Sequence, residues 1–204
     1  MPKNSFFYIR SLQLRYYKNH RDILHLMFEF ENTLFNFCKN SSEEIIIQIK
    51  LKWLYDELQK NESKIVLIKE INKYGGKYLI ATFSKLIDIF SDLTQEKKIE
   101  KLYDKFEKFN IQFNKILLDS KKSTEKFSFS LYFQIALYIY FRKNFDFSGI
   151  EKFSKHFLLA EKKKIDNFEL VFIELFLKSY SLECKNDIPK IQFLKNLIIS
   201  FFLR

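Results

Sequence analysis

Few residues of this 204-residue chain are spaced so that they could do chemistry together. Asp88 and Asp92 spell D-x-x-x-D, which on a helix puts two carboxylates on one face, where they could share a divalent cation. Asp92 is expected at the end of its helix, where capping or ion pairing suits it better. Asp56 has no acidic partner four residues on, since Lys60 stands there, and takes the same structural reading. His25 and Glu29 also sit at i and i+4, as half of a metal site would, but no second pair accompanies them and His20 and His156 lie elsewhere. Three glycines cannot supply a phosphate-cradling loop or a nucleophile elbow, and neither pattern occurs. Cys38 and Cys184 show no C-x-x-C or Cys/His spacing. They read as reduced, partly buried thiols of an intracellular reducing compartment.

The elements that must position these residues are helices. Ile99, Leu102, Phe106, Phe109, Phe113 and Ile116 recur at steps of three and four, while Lys101, Lys105 and Lys108 take the opposite face. Leu79, Phe83, Leu86 and Phe90 repeat that spacing, and so do Ile23, Met27, Phe30, Leu34 and Phe37. The spacing predicts helices over 4–18, 20–38, 43–60, 63–73, 77–92, 95–119, 124–143, 148–160, 166–184 and 188–202. Gly75-Gly76 and Gly149 fall between them, and Ser41-Ser42-Glu43-Glu44 reads as a hydroxyl-capped helix start. The expected fold is all-α, a single helical domain over 1–204.

Composition agrees. Hydrophobic residues at 47% and charged residues at 29% describe a globular chain, and 3 Gly with 2 Pro are too few for a barrel or sandwich. The aromatic share of 18% predicts a core built largely of rings. A net charge of +10 admits nucleic acid, an anionic membrane or a diphosphate as partner. Acidic residues are interspersed along most helices, however, and the aromatics keep core spacing, so nucleic-acid binding is disfavoured. The longest uncharged run, 127–141, is shorter than the ~20 apolar residues of a spanning helix and reads as a buried central helix. The N-terminus shows neither a signal-peptide core nor a transit segment. No transmembrane segment is expected, which leaves room for peripheral membrane contact.

A family resemblance begins at Ile49-Lys50-Leu51-Lys52-Trp53-Leu54-Tyr55-Asp56-Glu57-Leu58. This segment resembles the I-R-L-x-W-W-x-D-x-L stretch of squalene/phytoene synthase-like proteins, in particular their non-carotenoid branch in alphaproteobacteria and mitochondria. Arg21 to Glu31 is similar to that branch's R-x-x-L-x-A-L-Y-A-F-N-x-E helix, and Leu86-Ile87-Asp88-Ile89-Phe90-Ser91-Asp92-Leu93 to its L-I-D-A-R-x-x-D-L element. The resemblance covers about residues 10–145, and the C-terminal part is unmatched. It implies the isoprenoid synthase fold, whose enzymes hold Mg²⁺ on two D-x-x-x-D motifs facing an apolar cavity.

Laid over this chain, the first motif falls at Glu31 and Phe35 and the second at Lys143 and Phe147, so both are broken. The resemblance therefore implies a non-catalytic helical protein acting through protein contacts, an assembly factor or accessory subunit of a larger complex like the branch's complex I assembly factors. No cofactor is expected, and its place would be the cytoplasm or the mitochondrial matrix, peripheral to the inner membrane. The alternatives are an active prenyl transferase using Mg²⁺ and a basic RNA-associated protein. The family-matched residues Glu31, Trp53, Asp56, Asp88 and Asp92 would be structural or partner-facing. For Trp53 the expectation is core packing, with an exposed anchor as its competitor. Phe35, Phe133 and Tyr140 would fill the former substrate channel, and Phe201, Phe202 and Leu203 form a candidate docking segment.

Overall fold

Among the described residues the three-four apolar spacing is realised as helices. The computed structural model describes residues 5–39, 43–60, 62–119, 129, 131–142, 194–195 and 198. The fold is all-α, and among the described residues there is no strand. The helices are α1 (Ser5–Tyr16), α2 (Arg21–Lys39), α3 (Glu44–Leu58), α4 (Val66–Gln95), α5 (Ile99–Asp119) and α6 (Leu131–Phe141), with a 3₁₀ turn at Lys18–His20. The helices expected over 148–160 and 166–184 lie outside the described residues, as does most of the one expected over 188–202.

Contacts divide the chain into two compact units, Asn19–Lys126 and the pair of segments Met1–Lys18 with Phe127–Arg204. The sequence reading expects one domain over 1–204. In the two-segment unit, α1 carries Arg10, which is buried beneath aromatic rings. Its guanidinium lies 5.4 Å from the Phe129 ring centre and 4.6 Å from that of Phe133, and Nη1 donates to Gln13 Oε1 at 2.9 Å. Rings on both sides replace part of the hydration that burial removes. α6 is apolar on nearly every face, as a helix enclosed by protein must be; Phe133, Ile135, Tyr138 and Phe141 are all buried.

The Asn19–Lys126 unit packs α2, α3 and α5 against α4. Its core is aromatic. Phe35 of α2 meets Phe90 of α4 at 5.2 Å and Phe109 of α5 at 6.0 Å, both edge-on, and Phe109 meets Phe90 at 5.6 Å and stacks on Phe113 at 6.2 Å. Edge-to-face pairs at these separations add to the area they bury. Phe106, Phe109 and Phe113 are fully buried, and Lys101 and Lys108 are exposed as the α5 pattern predicts. Lys105 is the exception, with 28% of its side chain exposed. Its ammonium donates to the Asp92 carbonyl at 2.8 Å and pairs with Glu96 at 3.3 Å, so it satisfies an orphan carbonyl at the end of α4.

Two local features differ from the sequence reading or sharpen it. α3 has Glu43 as its N-cap, with no side-chain cap bond, in place of a serine cap; Ser41 and Ser42 lie outside the described residues. The Gly75-Gly76 break falls between two helical stretches as expected, but they join across a kink with no loop between them. Gly76 has φ 57° and ψ −157°, a conformation open in practice to glycine alone, and α4 changes direction there. At Gly75 the constraint is space, since a Cβ would stand 2.6 Å from Leu79 Cβ.

α3 runs antiparallel to the second half of α4, in a register set by two polar clamps. At one end Gln48 Nε2 donates to Thr94 Oγ1 at 2.8 Å while Ser91 Oγ donates to Gln48 Oε1 at 2.5 Å. At the other, Gln59 Nε2 donates to Ser84 Oγ at 2.7 Å.

Candidate interaction surface

α3 is a helix with two apolar faces. Ile47, Leu51, Leu54 and Leu58 recur at helical spacing and are all buried. Ile45, Ile49 and Trp53, at i, i+4 and i+8, form a second line on the opposite side and remain 66%, 64% and 50% exposed, with Ile46 beside them at 39%. Trp53 therefore is not a core residue. Its neighbours in sequence at Leu51 and Leu54 take the inward positions, and the helical repeat turns position 53 outward. Isolated exposed apolar side chains are ordinary, but an aligned set of three isoleucines and the chain's single tryptophan is a contiguous patch.

Charges border this line. Lys52 Nζ pairs with Asp56 Oδ1 at 2.8 Å, with both side chains more than half exposed. The Asp56 carboxylate raises the Lys52 ammonium above its ordinary value, chiefly through their hydrogen bond, and Asp88 on the facing helix adds a smaller push. Asp88 and Asp92 are exposed on α4. The antiparallel register set by the two clamps puts position 88 across from position 52. Asp56, Asp88 and Asp92 thus lie along the α3–α4 edge, next to the apolar line.

Glu31 behaves differently. It lies on α2 with only 2% of its surface exposed, one helical turn from the fully buried Phe35. A Mg²⁺ ion retains several waters and needs accessible carboxylates aimed at it. A core glutamate beside a core phenylalanine does not fit that requirement. Among the described residues, no three His, Cys, Asp or Glu side chains are grouped to hold a metal ion. His25 and Glu29 are both exposed on α2, and His20 is buried.

A cleft of about 550 Å³ opens between α2 and the first half of α4, lined by Arg21, Asp22, His25, Leu26, Glu70, Lys73 and Tyr74. Its two full cations, Arg21 and Lys73, are matched by two carboxylates, Asp22 and Glu70. Cys38 is buried. Lys143, Phe147, His156, Cys184, Phe201, Phe202 and Leu203 lie outside the described residues, as does the side chain of Tyr140. Of the expected channel fillers, Phe35 is part of the aromatic core of its unit and Phe133 packs on Arg10 in the other.

The sequence reading missed Ile45, Ile46 and Ile49. Their signal is the run Ile45-Ile46-Ile47 followed by Ile49, where an amphipathic helix would place polar residues at one or two positions. Comparison of the chain with protein-family models, with curated proteins and with solved structures finds no match in any of the three. No helix among the described residues is long and apolar enough to cross a membrane.

Proposed function

We propose that this chain is a non-catalytic helical protein that acts through protein contacts, as an accessory subunit or assembly factor of a larger complex. The observation that carries this reading is the exposed line of Ile45, Ile49 and Trp53 on α3. Large apolar side chains aligned on a solvent face cost solubility and are retained where a partner covers them. Tryptophan is moreover the residue type most enriched among those that dominate binding energy at interfaces.

The resemblance of residues 10–145 to squalene/phytoene synthase-like proteins belongs to the same proposal. Under it, the buried Glu31 and Phe35 stand where a metal-binding motif would be, and their burial supports a chain that no longer needs that motif. The reading calls for no cofactor. A respiratory complex as the partner and a reducing compartment as the location are its finer parts.

The test is the mass of the native species. The full chain, purified gently from cells that make it naturally and analysed by sedimentation with cross-linking, should migrate well above its own 24.9 kDa with a defined second protein. A chain that sediments alone, or that consumes farnesyl diphosphate in a Mg²⁺-dependent reaction, overturns the proposal.

A further inference from the structure

The α3 line has a shape and a charge setting that together specify what would cover it. Eight residues separate Ile45 from Trp53, so the line is about 12 Å long at the helical rise, straight, and one side chain wide. A second helix laid along α3 matches such a strip with side chains of its own at i, i+4 and i+7. A flat sheet edge would need unpaired backbone groups, and α3 offers none along its length.

The charges select among helices. The chain as a whole carries 35 basic and 25 acidic residues. Helix α3 (44–58) and segment 85–92 of α4 reverse that balance, with five acidic and three basic residues. Lys52 is engaged chiefly with Asp56 at 2.8 Å and feels Asp88 only weakly, and Asp88 and Asp92 are exposed on the α4 side of the strip. An anionic bilayer would be repelled by that border, although the tryptophan alone would suit an interface. A second copy of this chain would bring the same acidic border to itself. Lysine or arginine on the flank of a partner helix would meet Asp88 and Asp92 with opposite charge.

We infer that the outer face of α3 docks a basic amphipathic helix of a partner protein, with aliphatic side chains against Ile45, Ile49 and Trp53 and its cationic flank over Asp88 and Asp92. This rests on the protein-contact reading and adds to it the face used and the chemistry of the partner. Trp53, as the single tryptophan, reports directly on its own burial.

The experiment follows Trp53 emission of the full chain during titration with two synthetic helical peptides of identical leucine spacing. One has lysine and the other glutamate at every polar position. The lysine peptide should shift the emission to shorter wavelength with saturation, and the glutamate peptide should leave it unchanged. Ile45→Gln with Ile49→Gln keeps good helix formers at two exposed positions, so the fold is retained, and should weaken lysine-peptide binding at least about tenfold. Asp88→Asn with Asp92→Asn should weaken it several-fold and flatten its dependence on salt.

Equal responses to both peptides, or tight binding kept by the Ile45→Gln, Ile49→Gln chain, would overturn the inference. So would a larger shift on phosphatidylglycerol vesicles than on peptide, which assigns the face to lipid. A shift that grows with protein concentration alone would also overturn it, assigning the face to a second copy. A native complex that persists unchanged in the Ile45→Gln, Ile49→Gln chain removes this docking face and leaves the protein-contact reading standing. Absence of any native complex removes both.

Discussion

Replacing Gly76 with alanine should destabilise the protein, although alanine is the better helix former and nothing stands in its way. The residue lies inside α4 with φ 57° and ψ −157°, and an added Cβ would meet no atom within 4 Å. The whole effect is therefore backbone strain, about 1–3 kcal/mol for an L-residue held in such a region. With a urea dependence of about 2 kcal/mol/M, the unfolding midpoint should fall by roughly 0.5–1.5 M. A straight α4 would give the opposite sign, since glycine to alanine inside a regular helix stabilises by about 0.5–1 kcal/mol. Gly75→Ala acts by a different cause, the 2.6 Å approach of its Cβ to Leu79 Cβ and Cδ2. Its cost should shrink when Leu79→Gly is added, which removes Cβ as well as Cδ2, whereas that of Gly76→Ala should not. Urea denaturation of the wild type, Leu79→Gly, the two glycine variants and their Leu79→Gly doubles gives the six values required. A rise in midpoint for Gly76→Ala, or equal coupling of both glycines to Leu79, refutes the kink as described.

Two further perturbations probe the core and a surface clamp. Phe109→Ala removes a fully buried ring that contacts Phe35, Phe90 and Phe113 and should cost about 3–5 kcal/mol by chemical denaturation, more than any exposed substitution on α5. Glu57 is held below its ordinary value of 4.5, first by the hydrogen bond from Lys60 and then by that from Ser63. A carboxylate favoured in the folded state stabilises above its unfolded value and loses that contribution as pH falls through the lowered one. The stability difference between the wild type and Glu57→Gln should thus be full at neutral pH and close below pH 4.5, as urea midpoints across that range will show.

How much the sequence disclosed depended on whether one face or two were apolar. On α5 a single apolar stripe faces continuous charge, so the buried set Phe106, Phe109 and Phe113 could be read directly. The break at Gly75-Gly76 was equally plain, although spacing could not distinguish a loop from a kinked helix, because that depends on one ψ angle. α3 defeated the same procedure. Its isoleucines and Trp53 satisfy helical spacing on both sides, and periodicity alone does not say which side meets the core. The decision is made by tertiary contacts, the Gln48 clamp to Ser91 and Thr94 and the Gln59 clamp to Ser84, which turn Ile47 and Leu51 inward. Lys105 was misplaced for a related reason, since its long side chain reaches a helix end that no local pattern reveals. Aspartates 56, 88 and 92 could be recognised as a group, but their position beside an exposed apolar line could not, because it needs the antiparallel register of two helices.

The most direct test of the central claim is photo-cross-linking in living cells with benzoyl-phenylalanine placed at Ile49, and in parallel at Lys108 on the exposed side of α5. Position 49 should yield one discrete adduct with a partner protein, lost when Ile45→Gln is added, and position 108 should yield none. No adduct at position 49, or the same adducts at both positions, would contradict the assignment of α3 as the surface through which this protein works.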